Sequence, residues 1–178
     1  MKKFDYTNPH LEFKGKRIQV YTIEENHNDQ VVKRELVSHP GAVVILPFLD
    51  EKTILLIENK RYSVQRKLIE LPAGTLEPGE PPLETAYREL EEETGYKAKI
   101  LSPLLEFFPS PGYCNEILYS FVAKDLTHFG QHLDETENIT VLPTLLTEAL
   151  GMVREGIICD AKTICTLLYY SQFQHKSS

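Results

Sequence analysis

A run of carboxylates around one arginine occupies Gly74 to Tyr96, GTLEPGEPPLETAYRELEEETGY. Glu80 follows Gly74 after five intervening residues, and Arg88-Glu89 follow after seven more. Glu92, Glu93, Gly95 and Tyr96 close the pattern. Residues three and four apart are neighbours on a helix, so Glu89, Glu92 and Glu93 share one face. Their mutual repulsion costs stability unless a cation sits among them. Mg²⁺ or Mn²⁺ suits such a face, since both prefer carboxylate and water oxygens, and a hard cation held there can meet a phosphate. A bare ELEEE run reads first as a solvated acidic surface, because charge runs usually face solvent. The fixed offsets of Gly74, Glu80, Arg88, Glu89, Glu92, Glu93 and Gly95 turn the reading toward a site.

These residues need a loop, a helix and a sheet to hold them. Leu68–Leu71 reads as a short strand, and Pro72, Gly74, Pro78, Gly79, Pro81 and Pro82 then impose a structured loop. The helix begins near Pro82, because proline is tolerated in a first turn, and ends at Gly95, a left-handed cap. Leu83, Ala86, Tyr87 and Leu90 are expected to pack on the sheet. Alternation over 17–22 predicts a half-exposed strand, and 31–37 a second one in an N-terminal hairpin. The apolar run Ala42 to Phe48 reads as a buried strand, with Thr53 to Ile57 its antiparallel partner. Strands are predicted over 98–107, 116–123 and 139–142, a polar loop over 126–137, and helices near 144–154 and 160–173. Strands around one central helix, followed by late helices, predict an α/β layered domain.

The 178 residues suffice for one core with a small N-terminal extension. No apolar run approaches the roughly 20 residues of a membrane helix, and the basic start lacks the apolar segment of a secretory signal. Three cysteines, Cys114, Cys159 and Cys165, lack CxxC spacing. That speaks against a disulfide framework or zinc site and points to a reducing cytoplasm. With a net charge of -7 and no lysine-arginine stripe, nucleic-acid binding is not expected.

The segment from Gly74 resembles the Nudix box, Gly-x5-Glu-x7-Arg-Glu-U-x-Glu-Glu-x-Gly-U, where U is a bulky aliphatic. Leu90 fills the first U, and Tyr96 stands at the last as a packing residue. The resemblance implies a Nudix α/β/α sandwich with a mixed β-sheet and a small N-terminal β-sheet extension. It implies hydrolysis of a nucleoside diphosphate linked to another group, with metal ions neutralising the diphosphate and activating water. Carried over by position, Glu89 and Glu93 are the main metal ligands, with Glu92 a further ligand or water-orienting group. Arg88 holds the carboxylates, Glu80 supports it, and the Ala73 carbonyl is a ligand.

Other segments resemble the ADP-ribose pyrophosphatase subfamily. Pro111 lies sixteen residues beyond Gly95, in FFPSPGYCNE, although Pro-Gly also marks an ordinary turn. HPGAVVILP, NKRYSVQRKLIELPAG and CDAKTICTLL add to the likeness, which covers most of 31–170. Arg61 becomes a candidate for the diphosphate or terminal ribose, or else a surface hairpin arginine; Arg34 is a similar candidate. Glu116 is either a ribose ligand or an outward strand residue. In LTHFGQHLDETENIT, Glu135 resembles the general base and Glu137 a late metal contact, unless this is a solvated acidic loop. His128 and His132 are not expected to bind zinc, and Cys114 reads as a small buried residue. Residues 1–40 would form a β extension serving dimerisation and the nucleotide site, and 41–178 the hydrolase domain. The expectation is thus a cytoplasmic homodimer that uses Mg²⁺ (or Mn²⁺) to cleave ADP-ribose or a close ADP-sugar to AMP and a sugar phosphate. The alternatives are another nucleoside diphosphate sugar such as GDP-mannose, and a non-catalytic ADP-ribose sensor.

Overall fold

A computed structural model describes residues 5–28, 30–133 and 138–174. The chain opens with β1 (His10–Lys14), β2 (Gln19–His27) and β3 (Gln30–Ser38), an antiparallel sheet in the order β1-β2-β3. Its strands are largely exposed, and Leu11, Phe13 and Val31 face solvent. β1 was not foreseen, because HLEFK carries no strong alternation. The end of β3 is tied to the main body by Val37 N–H donating to the Tyr113 carbonyl at 2.7 Å and Asn115 N–H to the Val37 carbonyl at 3.1 Å.

The main body is built around β4 (Ala42–Pro47), all of it buried. With β7 (Ala73–Thr75), β8 (Tyr96–Phe107) and β9 (Leu118–His128) it forms a mixed sheet ordered β7-β4-β9-β8, in which β4 and β9 run parallel. β5 (Thr53–Arg61) lies between β10 (Ile139–Leu145) and β6 (Arg66–Glu70) in a second, antiparallel sheet. The hairpin expected between β4 and β5 is reduced to one bridge, Phe48 to Ile54. Both edges of β4 are already occupied, by β7 and β9, so β5 must pair elsewhere. β7 was expected as loop, and β9 runs on to His128, past the predicted start of the polar loop.

Side chains alternate across a strand, and β4 uses this to separate two cores. Val43 and Ile45 pack with Leu76, Phe121, Ala123 and with Ala86 and Leu90 of α1 (Pro82–Thr94). Val44 and Leu46 pack on the opposite side with Ile54, Leu56 and Leu71, and with α2 (Leu146–Arg154) and α3 (Ala161–Tyr169) through Leu146, Ala149 and Leu167. The result is an α/β sandwich with helices on both sides. α3 continues into a wider π turn at Tyr170–Gln174. Burying one leucine such as Leu90 contributes about 1.5–3 kcal/mol, so the central sheet fixes α1 firmly. Leu83 and Tyr87 do not join this contact. They are 42% and 38% exposed, because they lie on a stripe beside the one formed by Ala86, Leu90 and Glu93.

Candidate functional site

α1 starts with Pro82 in its first turn, where a missing N–H costs nothing. The preceding loop brings Glu80 back over the helix. Arg88 takes Glu80 in a bidentate pair, Nε to Oε1 at 3.0 Å and Nη2 to Oε2 at 2.9 Å. Its Nη1 donates to Glu89 at 2.7 Å and to Glu92 at 3.1 Å, and Nη2 reaches the Thr75 carbonyl at 3.5 Å. One guanidinium therefore serves three carboxylates and the backbone of β7. The Arg88 bonds are the main cause holding the Glu80 carboxyl down at about 2. The same pairing raises Arg88 above its ordinary value.

Gly74 is required by Glu89. A Cβ on Gly74 would lie 1.8 Å from the Glu89 carboxyl carbon, so any side chain there expels that carboxylate. Glu93 is 3% exposed and accepts the Ala73 N–H at 2.8 Å. Ala73, Gly74, Glu89 and Glu93 thus meet where β7 faces α1. Gly95 caps the helix at φ 76° and donates its N–H to the Glu91 carbonyl at 2.8 Å. A Cβ there would come within 2.6 Å of Gly130. The carbonyls at the end of α1 and at its cap hold the segment 129–132, which follows β9. Gly95 accepts from Phe129 at 2.7 Å, Glu92 from His132 at 3.1 Å, and Glu93 from the Gln131 side chain at 2.6 Å. Tyr96 packs edge-on against His128, with ring centroids 4.8 Å apart. Glu135 and Glu137 lie outside the described residues.

Arg61, at the end of β5, grips Glu70 with Nε to Oε1 at 2.8 Å and Nη2 to Oε2 at 2.6 Å. Glu70 is fully buried and is also bonded by Lys162 of α3. Burial pushes the Glu70 carboxyl up, but Arg61 and Lys162 outweigh it and the net shift is downward. Arg61 is raised chiefly by its Glu70 hydrogen bond, and it also feels the charges of Glu93 and Asp160. Glu70, Lys162 and Gln131 were not singled out from sequence. Glu70 left one signal, an acidic residue among the apolar positions of a short strand.

The other candidates stand on other elements. Arg34, on β3, pairs with Glu25 at 3.1 Å across the exposed N-terminal sheet. Pro111 stands in a turn closed by Cys114 N–H donating to the Ser110 carbonyl at 3.0 Å. Glu116 lies after that turn, 3.4 Å from His39 Nδ1. Burial is the main cause lowering His39 below its ordinary value, against the opposing pull of Glu116. Asn115 joins the two regions, accepting from the His39 N–H at 2.8 Å and donating to the Tyr6 hydroxyl at 3.2 Å. Burial raises the Cys114 thiol, which suits a packing residue better than a nucleophile.

Among the described residues, no three carboxylate, imidazole or thiol side chains gather into a ready metal cage. The donor chemistry still fits a hard cation. Glu89, Glu92 and Glu93 offer only oxygens, Gly74 leaves the space that the Glu89 carboxylate fills, and Arg88 answers several negative charges with one positive charge.

The NUDIX domain model matches residues 38–152. The chain is 42% identical over 160 residues to an ADP-ribose pyrophosphatase of Bacillus subtilis, covering 88% of this chain and 86% of that one. It is 39% identical, with the same coverage, to a methanol dehydrogenase activator of Bacillus methanolicus. A crystal structure of an ADP compounds hydrolase superposes with a TM-score of 0.78 at 20% identity, over 98% of this chain and 100% of that one. The chain belongs to the Nudix family, whose fold it shares with that hydrolase.

Proposed function

We propose that this Nudix protein hydrolyses the diphosphate bond of ADP-ribose, or of a close ADP-sugar, giving AMP and ribose 5-phosphate. The observation that carries this reading is the 42% identity to the Bacillus subtilis ADP-ribose pyrophosphatase over 88% of the chain. The contacts of Gly74 with Glu89 and of Ala73 with Glu93 support the same chemistry. A bound Mg²⁺ or Mn²⁺ supplies neutralisation of the diphosphate and a more acidic water. Glu89 and Glu93, with the Ala73 carbonyl and Glu137, would hold it. Arg88 and Glu80 restrain the glutamates against their mutual repulsion. Glu92 orients the attacking water and Glu135 takes its proton. The water oxygen bonds to phosphorus as the bridging P–O bond breaks, and the departing phosphate keeps the electron pair. Arg61 and Arg34 bind the anionic substrate, and the Pro111 turn presents Glu116 to ribose hydroxyls. Leu11, Phe13 and Val31, exposed on the N-terminal sheet, support a homodimer formed through residues 1–40. Residues 41–178 would form the hydrolase unit. The three unpaired cysteines support a cytoplasmic setting. Among the described residues no helix is long and apolar enough to cross a membrane.

A second reading, a regulator acting on another protein, takes its support from the Bacillus methanolicus relative, whose name is that of an activator. Turnover on a panel of ADP-ribose, GDP-mannose, ADP-glucose, NADH and diadenosine polyphosphates, with Mg²⁺ and then Mn²⁺, separates the readings. A clear preference for ADP-ribose is expected. Preference for GDP-mannose would replace the substrate and keep the chemistry. Tight ADP-ribose binding without turnover on any compound would favour the regulator.

A further inference from the structure

The ion cluster beneath Arg61 is more elaborate than burial of one carboxylate demands. Arg61 alone satisfies both oxygens of Glu70 in a fork. Lys162 nevertheless adds a third bond, to Oε2, from a side chain only 14% exposed. Lys162 is itself held by Asp160 Oδ1 at 3.0 Å. Asp160 caps α3, accepting from the Thr163 backbone at 3.0 Å and from its hydroxyl at 2.6 Å. The Thr163 hydroxyl oxygen then accepts the Leu71 N–H at 2.8 Å. The first turn of α3 is therefore bolted to Glu70 and Leu71, two residues short of Ala73, whose N–H holds Glu93.

This arrangement controls the aim of a guanidinium. A carboxylate paired only with a flexible arginine can turn together with it as a unit. Lys162 anchors one oxygen to a rigid helix, which sets the carboxylate plane and, through the fork, the guanidinium plane. Arg61 spends Nε and Nη2 on Glu70, and its Nη1 makes no hydrogen bond among the described residues. The side chain is 36% exposed and lies within the electrostatic reach of Glu93. Nη1 is thus the edge left for an anion bound beside the glutamate face. An apolar pair could have joined α3 to β6 at least as stably, whereas only a charged anchor fixes the direction of Arg61.

We propose that Lys162 is a positioning residue: acting through Glu70, it aims the Nη1 edge of Arg61 at the anionic diphosphate sugar. The inference rests on the reading of the chain as a nucleoside diphosphate sugar hydrolase. Steady-state kinetics on ADP-ribose with the full chain and Mg²⁺ test it. Lys162→Met should raise KM about tenfold, the scale of an indirect positioning loss, with kcat within about threefold. Lys162→Arg should return KM to within about threefold of wild type, because it keeps a cation on Glu70. On an Arg61→Ala background, Lys162→Met should add less than about twofold to KM, as expected for residues acting in one chain of contacts. Should Lys162→Met fail to fold, Asp160→Asn keeps a good helix cap while releasing Lys162. It should raise KM about threefold with an unchanged Tm. Unchanged KM in the folded variant, or effects of Lys162→Met and Arg61→Ala that multiply, overturns the proposal while wild-type turnover keeps the substrate reading. Absence of wild-type turnover removes the substrate reading and the proposal together.

Discussion

Two ion clusters of opposite design flank the start of the Nudix box. On α1, one arginine serves three carboxylates, and the cluster stays partly open, with Arg88 28% and Glu92 40% exposed at the side chain. Under β6, one fully buried carboxylate serves two cations, Arg61 and Lys162. The first has negative charge in excess. The second has its negative charge enclosed and leaves a guanidinium edge for an anion. On the proposed function, a metal-bound diphosphate would meet both requirements, each cluster facing a different part of one ligand. The open cluster can be rearranged by binding, whereas the buried one must be complete before binding, because an unpaired buried charge is costly.

The strongest way to break this contrast is Glu93→Gln. The amide can still accept the Ala73 N–H, so Tm should hold within a few degrees, while kcat falls by on the order of 10³-fold through loss of a metal-binding charge. Near-normal turnover would remove Glu93 from the proposed metal ligands. Glu70→Gln attacks the buried cluster instead. It leaves Arg61 and Lys162 without their buried anion, at a cost of about 3 kcal/mol in denaturant unfolding. A loss below about 1 kcal/mol would mean the pair behaves as an exposed one.

Gly74→Ala tests whether the open cluster depends on backbone space. The added methyl must displace the Glu89 carboxylate, the far end of a flexible side chain, so Tm should change little while kcat falls by about 10- to 100-fold. Unchanged turnover would show that the position of Glu89 is dispensable. The smallest effect is on pH. The Arg88 guanidinium holds the Glu80 carboxyl down at about 2, below the ordinary carboxylate value of about 4.5. Its contribution is therefore complete above about 4.5 and lost as pH falls toward about 2. Glu80→Gln should flatten the acid limb of the stability curve in that window. An acid limb identical to wild type would place the Arg88–Glu80 pair outside the stability balance.

The residues of the open cluster were legible because they belong to one loop and one helix. Helical periodicity places Glu89, Glu92 and Glu93 together, proline and glycine mark the ends of α1, and Arg88 stands among them at short range. The buried cluster was not legible. Glu70 and Lys162 are 92 residues apart, and no local pattern says that β6 and the first turn of α3 will touch. The predicted pairing of β4 with β5 failed for the same kind of reason, since neighbouring strands in sequence say nothing about which edges β7 and β9 will occupy. Leu83 and Tyr87 looked like core residues because they are apolar on a helix, but packing selects only the stripe that the sheet covers.

Taken alone, the amino-acid sequence determined the α/β class, the helix that carries the glutamates and the resemblance to the Nudix family, all properties of spacing within one segment. Tertiary structure alone decided that Gly74 makes room for the Glu89 carboxylate, that Phe129, Gln131 and His132 bond to the end of α1, and that Lys162 reaches Glu70. Those contacts depend on close approach between distant segments, and chain connectivity does not encode such distances.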